Sequence, residues 1–210
     1  GVEERWGTGD WWAAYSDDGI HFTKMKIIWN RKKFISKRGS YAFDALNTVY
    51  FDNQINKYVA HARYVDSWLY RTVMTSTSDN FLDWKIDDWK ILKFNPPLNS
   101  EYGTSLYLMN AHKCPVNDCG YMIGFNTRFN SNIIAGCEKT KIGKKAGSNC
   151  ENAHTDIGFS ISKDNLNFKH SLYNNALQKD YGDDFPRNVW SVGGYTKTDN
   201  EIYYYVLHDA

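Results

Sequence analysis

One short pattern occurs three times and constrains the fold of this chain more than any other feature. It reads as a small polar residue, an acidic residue, Gly or Asn, an apolar residue, any residue and an aromatic residue. Two copies are S-D-D-G-I-H-F at 16–22 and S-K-D-N-L-N-F at 162–168. The copy between them, S-D-N-F-L-D-W at 78–84, keeps the closing aromatic residue, although its Asp stands one place earlier. Because Asp or Ser can bond turn amides and Gly or Asn tolerates a positive φ, each copy predicts a hairpin turn rather than a functional site.

Strand patterns surround these turns. Short runs of aromatic and β-branched residues are bounded by Asn, Asp, Gly and Ser, and no long segment has helical periodicity. Strands are predicted at 11–15, 48–51, 58–63, 71–76, 105–109, 121–127, 157–161, 189–195 and 201–207. The repeating unit is strand–turn–strand followed by strand–motif–strand. Four antiparallel strands every ~60–80 residues are typical of a propeller blade, so the predicted fold is an all-β propeller of four-stranded antiparallel blades.

Composition excludes several classes of partner. The 210 residues carry a net charge of +1, which argues against the basic stripe of a nucleic-acid-binding protein. Aromatic residues make up 16% of the chain and supply enough apolar area for a packed core. No run approaches the ~18 apolar residues of a membrane span. We therefore expect a single globular domain over 1–210, with no nucleic-acid partner and no membrane span.

The four cysteines fall close together in the sequence. Cys114, Cys119, Cys137 and Cys150 allow three pairings, of which Cys114–Cys119 with Cys137–Cys150 is the simplest. A four-thiolate zinc site is the alternative, but the C-x2-C spacing that is usual for such sites is missing. A reduced cytosolic quartet is a further alternative. Disulfides in an oxidising compartment are favoured, and they would restrain a cysteine-rich insertion within a blade at 130–152. No motif for a metal or a cofactor is present, so none is expected.

Longer sequence runs resemble a known superfamily. The run DALNTVYFDNQINKYVAHARY at 44–64, the run RTVMTSTSDNFLDWK at 71–85 and the S-x-D-N-L-x-F hairpin follow one another along the chain. Together they resemble the five-bladed β-propeller glycoside hydrolases, which include invertase-like and arabinanase-like enzymes, and above all their uncharacterised secreted members. The resemblance extends from about residue 11 to residue 207. Six-bladed sialidases are a rival, although their Asp-box motif is one residue longer.

This resemblance implies a ring larger than the chain supplies. A five-bladed ring needs ~300 residues at this spacing, whereas the chain carries blade boundaries for about three and a half blades. We therefore expect an incomplete propeller, and another polypeptide segment as the partner that completes it.

The resemblance also implies where ligands bind. In these propellers the first strand of each blade is innermost, and ligands lie at one end of the central channel. Glycosidases need two carboxylates across the scissile bond, and the resembling enzymes have a third that tunes the acid. Candidates are Glu101 as the acid, with Asp44 and either Asp183 or Asp184 as the other members. Each also stands beside turn residues, where an acid commonly only caps the chain. The W-x-N-D-P-N-G, R-D-P and E-C-P motifs of invertase-like enzymes are absent.

Substrate binding is assigned to cations and to aromatic rings. Arg71, Arg128 and Arg187 could hold an acidic group on a glycan, and Trp190 could stack on a sugar ring. Surface ion pairing for the arginines and core packing for the tryptophan are the alternatives. Trp11 and Trp12 are adjacent, so one of them is expected in the core. The predicted function is that of a secreted, glycan-recognising propeller with hydrolysis left open. The alternative is a non-catalytic structural subunit of an extracellular assembly.

Overall fold

The computed structural model describes residues 10–38, 41–43, 47–67, 70–95, 104–116, 119–130, 154–170 and 189–208. This part of the chain is almost entirely β-structure in antiparallel sheets, which is consistent with a partial propeller. The strands are β1 (Trp11–Tyr15), β2 (Thr23–Trp29), β3 (Tyr41–Ala42), β4 (Thr48–Asp52), β5 (Lys57–Ser67), β6 (Tyr70–Ser78), β7 (Lys90–Ile91), β8 (Lys93–Asn95), β9 (Thr104–Leu108), β10 (Ala111–Lys113), β11 (Met122–Asn130), β12 (His154–Ser162), β13 (Asn167–His170), β14 (Val189–Lys197) and β15 (Ile202–His208). All nine predicted strands fall on observed ones.

Two central sheets share one plan. In sheet 2, β3 and β4 lie along the same edge of β5, and β6 and β7 follow on its other side. In sheet 3, β9 and β10 lie along the same edge of β11, and β12 and β13 follow. Each sheet therefore consists of an interrupted first strand, two long strands and a short fourth strand. This is the four-stranded antiparallel blade that the repeats predict.

The terminal sheets are hairpins that match different halves of this plan. Sheet 1 pairs β1 with β2 around the first motif, as the third and fourth strands do in sheet 3. Sheet 4 pairs β14 with β15, as the first and second strands do in sheets 2 and 3. Sheet 3 is also extended by β8, which follows sheet 2 in the chain and pairs in parallel with β13. Sheets 2 and 3 are thus linked by backbone hydrogen bonds as well as by packing.

The three motif turns use the same hydrogen bonds. In the first, the Asp18 carboxylate accepts from the amides of Ile20 and His21 at 2.8 and 2.7 Å. In the third, Asp164 accepts from the amides of Leu166 and Asn167 at 3.0 and 2.7 Å.

In the middle motif the acceptor is the side-chain oxygen of Asn80, which binds the amides of Leu82 and Asp83 at 3.0 and 2.9 Å. Asn80 therefore occupies the Asp position, because an amide oxygen accepts these bonds as a carboxylate does. The sequence comparison had aligned the neighbouring Asp79 instead. The residue after the acceptor has a positive φ in all three turns: 75° at Gly19, 64° at Phe81 and 59° at Asn165.

The core lies between successive sheets. One buried cluster joins sheet 1 to sheet 2 and contains Trp29, Phe43, Tyr64, Met74 and Trp89. A second joins sheet 2 to sheet 3 and contains Val73, Phe94, Leu106, Met122 and Phe168. Packing between faces of consecutive sheets is the arrangement expected for propeller blades.

One helix, α1 (Arg31–Arg38), was not predicted. Its sequence, R-K-K-F-I-S-K-R, lacks an apolar stripe, and among its described side chains Phe34 is the fully buried one. Local capping starts it, because the Asn30 side-chain oxygen accepts from the amide of Lys33 at 2.7 Å. A short 3-10 helix, Ile86–Asp88, precedes β7.

The cysteine region is described in part. A disulfide joins Cys114 to Cys119 and confirms that predicted pairing. Cys137 and Cys150 lie outside the described residues. Strands β11 and β12 pair up to Asn130 and His154, so the predicted insertion at 130–152 connects two neighbouring strands of one sheet.

Candidate functional site

The first strands of sheets 2, 3 and 4 contact one another. Thr48 of β4 donates its hydroxyl to the Met109 carbonyl at 3.1 Å. Asn110 then donates its side-chain amide to the Val192 carbonyl of β14 at 2.7 Å. Asn110 is fully buried, so these bonds are shielded from water. The first-strand segments of these three sheets are therefore joined by hydrogen bonds.

Four side chains from three sheets form an Arg–aromatic cluster: Arg63, Arg71, Tyr107 and Trp190. The guanidinium carbons of Arg63 and Arg71 lie 3.8 and 5.7 Å from the centre of the Tyr107 ring. Trp190 meets the same ring edge-on, with 4.6 Å between ring centres. Cation–π attraction operates within about 6 Å, so both arginines lie within its range of the Tyr107 ring. Tyr107 is therefore the side chain that the other three members contact. Tyr107 and Trp190 are half-buried, and both lie on first strands.

Arg63 is held by its backbone as well as by its side chain. Its amide donates to the Asn47 side-chain oxygen at 2.9 Å, and its carbonyl accepts from the Phe43 amide at 2.9 Å. Only 6% of its surface is exposed. The stretch of chain immediately before β4 is therefore bonded directly to a residue of the cluster.

Arg128 occupies in sheet 3 the place that Arg63 occupies in sheet 2. The residue that pairs with the end of the first strand is Lys57 in sheet 2 and Met122 in sheet 3, and each arginine follows it at the same distance along the strand. Arg128 is buried, and two of its guanidinium nitrogens donate to the two carboxylate oxygens of Asp156. Two parallel charge-assisted bonds hold this guanidinium plane between β11 and β12.

Farther along the first strands lies an axial ring cluster, formed by Tyr50, His61, His112 and Tyr195. Their ring centres are 5.7 Å apart for Tyr50 and His61, 6.2 Å for Tyr50 and His112, and 5.8 Å for His112 and Tyr195. His61 is almost fully buried, and neither of its ring nitrogens has a hydrogen-bond partner among the described residues. The Gly194 amide donates to Nε2 of His112 at 2.9 Å.

Burial dominates the electrostatics of this axial cluster. It lowers the pKa of His61 to about 3, with a further contribution from the nearby His112. It also lowers the pKa of His112 and raises the pKa of the Tyr50 hydroxyl. All three groups are therefore neutral at pH 7, and the centre of the described region carries no charge from them.

The structure places some of the predicted site residues together. Arg71 and Trp190 meet at Tyr107, whereas Arg128 is engaged by Asp156. The candidates that lie outside the described residues are Asp44, Glu101, Asp183, Asp184 and Arg187. The importance of Tyr107 was missed. Its position on a predicted first strand was the available signal, because alternate residues of such a strand face the neighbouring sheets.

Trp11 and Trp12 lie on opposite faces, as predicted. Trp11 packs against Trp29 and donates its ring N–H to the Phe43 carbonyl at 2.9 Å. Trp12 is exposed beneath the Lys24 ammonium, which lies 3.3 Å from its ring centre.

The described residues hold no candidate metal centre. No group of three or more His, Cys, Asp and Glu side chains there could hold a metal ion. No described helix is both long and apolar enough to cross a membrane. A groove of about 470 Å³ lies between β2, α1 and residues 84–89, apart from the Arg–aromatic cluster.

Comparisons with known proteins include a remote structural likeness. No family model and no curated protein matches the chain. Among solved structures, an N-acetylgalactosamine deacetylase from F. plautii, in complex with blood group B trisaccharide, aligns with 61% of this chain at 14% identity and a TM-score of 0.40. The chain spans 29% of the length of that deacetylase. Membership of the five-bladed glycoside hydrolase superfamily therefore stays a prediction.

Proposed function

We propose that this protein is a secreted propeller that recognises carbohydrate at the Arg–aromatic cluster. The observation that carries the proposal is the convergence of Tyr107, Trp190 and two arginines from three sheets on the side where the first strands begin. The predicted family binds its ligands at one end of the channel, among the first strands. The Cys114–Cys119 disulfide fits an oxidising compartment.

The chemistry of the cluster suits a sugar. An aromatic ring offers an apolar face to the C–H groups of a pyranose, and guanidinium groups donate several hydrogen bonds to hydroxyl or carboxylate oxygens. Arg63 is fixed in place by its backbone bonds and its burial. Because its orientation is set before a ligand arrives, less side-chain entropy is lost on binding.

Hydrolysis belongs to the proposal as a second step. Asp44 follows Phe43 directly, Glu101 precedes β9 and Asp184 precedes β14. In the sequence, all three thus stand just before or within first-strand segments. Other residues of these segments belong to the Arg–aromatic cluster or contact it. Two of these carboxylates would serve as acid and nucleophile or base, and the third would tune the acid.

Binding is tested on an array of neutral and acidic oligosaccharides. We expect Tyr107→Ala to weaken binding at least about tenfold, whereas Tyr107→Phe keeps the ring and most of the affinity. Tyr121→Ala is the matched control, since Tyr121 also has a cation near its ring, Lys163 at 5.1 Å, but is not on a first strand. Equal affinity of wild type and Tyr107→Ala for every bound glycan would refute this site.

Catalysis is tested separately on whichever glycan binds. Glu101→Gln, Asp44→Asn and Asp184→Asn should abolish release of reducing sugar and preserve binding. If the wild-type protein binds a glycan but releases no sugar, the hydrolytic step of the proposal is wrong and recognition remains.

The second candidate function is that of a non-catalytic subunit of an extracellular assembly. The specific observation in its favour is the exposed apolar surface on both terminal hairpins, with Phe22 and Ile27 on sheet 1 and Tyr205 and Leu207 on sheet 4. Apolar surface of this kind commonly marks an interface. A protein that binds no glycan yet assembles with other chains would favour this candidate.

A further inference from the structure

A second place in the molecule has the dimensions of a small-molecule site. The groove between β2, α1 and residues 84–89 has a volume of about 470 Å³, which falls within the ~300–1,000 Å³ that ligand pockets usually occupy. Its walls come from the last strand of sheet 1, from the helix, and from the segment that leads into β7, the last strand of sheet 2. The groove is therefore distinct from the Arg–aromatic cluster, whose Tyr107 and Trp190 lie on first strands.

The walls of this groove are mainly apolar and aromatic. Ile28, Trp84 and Ile86 line it, are half-buried, and pack on the buried rings of the core between sheets 1 and 2. The Trp84 ring centre lies 5.7 Å from that of Trp29 and 6.1 Å from that of Trp89, and it is inclined by only 30° to Trp89. A flat ring bound in the groove would therefore have aromatic neighbours, which stabilise it beyond the burial of its area.

The charge of the groove is positive. Among the described residues that line it, Lys33, Lys37 and Lys85 are basic and Asp87 is acidic. Lys37 of α1 pairs with Asp87 of the opposite wall at 2.6 Å, and their side chains are 49% and 73% exposed. A pair this exposed to water is weak, so Lys37 can exchange Asp87 for the anionic group of a ligand at little cost. Charge complementarity thus favours an anion in this groove.

Other polar side chains of the groove are engaged within the protein. The Asn30 side-chain oxygen accepts from the Lys33 amide at 2.7 Å, and its side-chain nitrogen donates to Asp10 at 3.4 Å. The Trp84 ring N–H donates to the Phe81 carbonyl at 2.6 Å. A neutral sugar carries hydroxyl groups on all sides and would lose hydration against these walls without gaining partners. An apolar body with a single anionic group fits the same walls better.

We propose that this groove binds a small aromatic acid, with one or two fused rings against Trp84 and Ile86 and a carboxylate or sulfonate group at the lysines. The proposal goes beyond glycan recognition and does not depend on it. A hydrogen bond from an ammonium to a carboxylate is charge-assisted and stronger than a neutral one. The anionic group should therefore govern the affinity, while the rings fill the apolar part of the groove.

The chemistry of the ligand is tested by equilibrium dialysis of the full chain with 2-naphthoate and with 2-naphthamide, its neutral analogue of the same shape. We expect naphthoate to bind at least about tenfold more tightly. Equal affinities would overturn the requirement for an anion. Decanoate carries the same charge on a flexible aliphatic chain and should bind more weakly than naphthoate. Decanoate binding as tight as that of naphthoate would overturn the aromatic part of the proposal.

The location is tested with substitutions of exposed lysines. Lys33→Gln combined with Lys85→Gln should weaken naphthoate binding at least about fivefold and leave naphthamide binding unchanged. Lys163→Gln is the matched control, because Lys163 also lies near an aromatic ring, Tyr121 at 5.1 Å, but does not line this groove. Asp87→Asn removes the carboxylate that competes for Lys37 and should tighten naphthoate binding about twofold. Unchanged naphthoate affinity in the double lysine variant would overturn the site.

A last variant separates this groove from the Arg–aromatic cluster. Tyr107→Ala should keep the wild-type affinity for naphthoate, because Tyr107 does not line the groove. Loss of naphthoate binding in Tyr107→Ala would assign the acid to the Arg–aromatic cluster and overturn this inference. A protein that binds glycans but not naphthoate would leave the proposed function standing and refute the groove alone. A protein that binds naphthoate through its lysines but binds no glycan would do the reverse.

Discussion

The first and third motif turns are nearly identical in hydrogen bonding and opposite in their surroundings. Asp18 and Asp164 each bond the same two amides of their turns. Yet the closing Phe168 is buried against the neighbouring sheet, and Phe22 is exposed. The difference shows that polar residues close the turn by themselves, whereas apolar residues contribute only when another sheet covers them.

The middle turn follows the covered pattern. Trp84 packs edge-on against Trp29 of sheet 1, with 5.7 Å between ring centres. The third turn bonds sheet 2 through Asn165, which donates to Asp52 at 3.1 Å. Each covered motif thus rests on the sheet that precedes it in the chain.

Removal of the closing aromatic ring should separate the two regions most clearly. Phe168→Ala is expected to lower the free energy of unfolding by about 3–5 kcal/mol, because it leaves a cavity between sheets 2 and 3. Phe22→Ala should change it by less than about 0.5 kcal/mol, because this ring is already 67% exposed. Urea unfolding measures both values, and similar losses would contradict the contrast between covered and open turns.

Acid should destabilise the covered region through His61. Its pKa is about 3 in the folded protein, against ~6.5 in an unfolded chain, so between these values only the unfolded chain binds the proton. The contribution of neutral His61 to the free energy of unfolding is fully present above about pH 6.5. It falls by up to about 1.4 kcal/mol per pH unit as the pH drops towards 3. Urea unfolding at pH 6.5 and pH 4.5 should thus differ by about 2–3 kcal/mol.

His61→Leu should remove most of this dependence. Val73→Ala is the control, because it opens the same interior without a titrating group and should lower stability equally at both pH values. An unchanged slope in His61→Leu would show that other groups govern acid unfolding.

Substitutions that strain a turn should lower the free energy of unfolding by less than the loss of a packed side chain does. This effect is expected in covered and in exposed turns. Gly19→Ala places a side chain at a φ of +75° and is expected to lose about 1 kcal/mol, although nothing lies within 4 Å of the new carbon. Asn165→Ala removes the hydrogen bond to Asp52. The free energy of unfolding should fall by about 0.5–1.5 kcal/mol because of this loss. Gly193→Ala is the control, since its new carbon meets Thr48 at an ordinary 3.9 Å, and we expect a change below about 0.5 kcal/mol.

The smallest effect is expected at the ion pair between the middle turn and sheet 1. Lys26 and Asp83 are 2.6 Å apart, and both side chains are about half exposed or more. Lys26→Met should leave the free energy of unfolding almost unchanged, and 1 M salt should erase any difference. A larger, salt-resistant loss would show that this seam depends on charge rather than on Trp84.

The sequence predicted the strands well because their side chains alternate, and it predicted the turns because Asp, Asn and Gly act locally. The parallel pairing of β8 with β13 was not predicted, since it forms only when sheets 2 and 3 come together. The role of Asn80 was missed because the comparison sought a carboxylate, whereas the turn requires only an oxygen acceptor. Of the candidate site, Arg71 and Trp190 were predicted without Tyr107, the residue that joins them across sheets.

The dependence of each covered motif on the preceding sheet gives the chain a direction during its synthesis. Sheet 2 leaves the ribosome before Phe168 does, and β8 is already available when β13 arrives to pair with it. Since chains emerge at about 5–20 residues per second and earlier units fold first, each new sheet meets a partner that is already formed. The fold can therefore grow outward from its N-terminal side, one supported hairpin at a time.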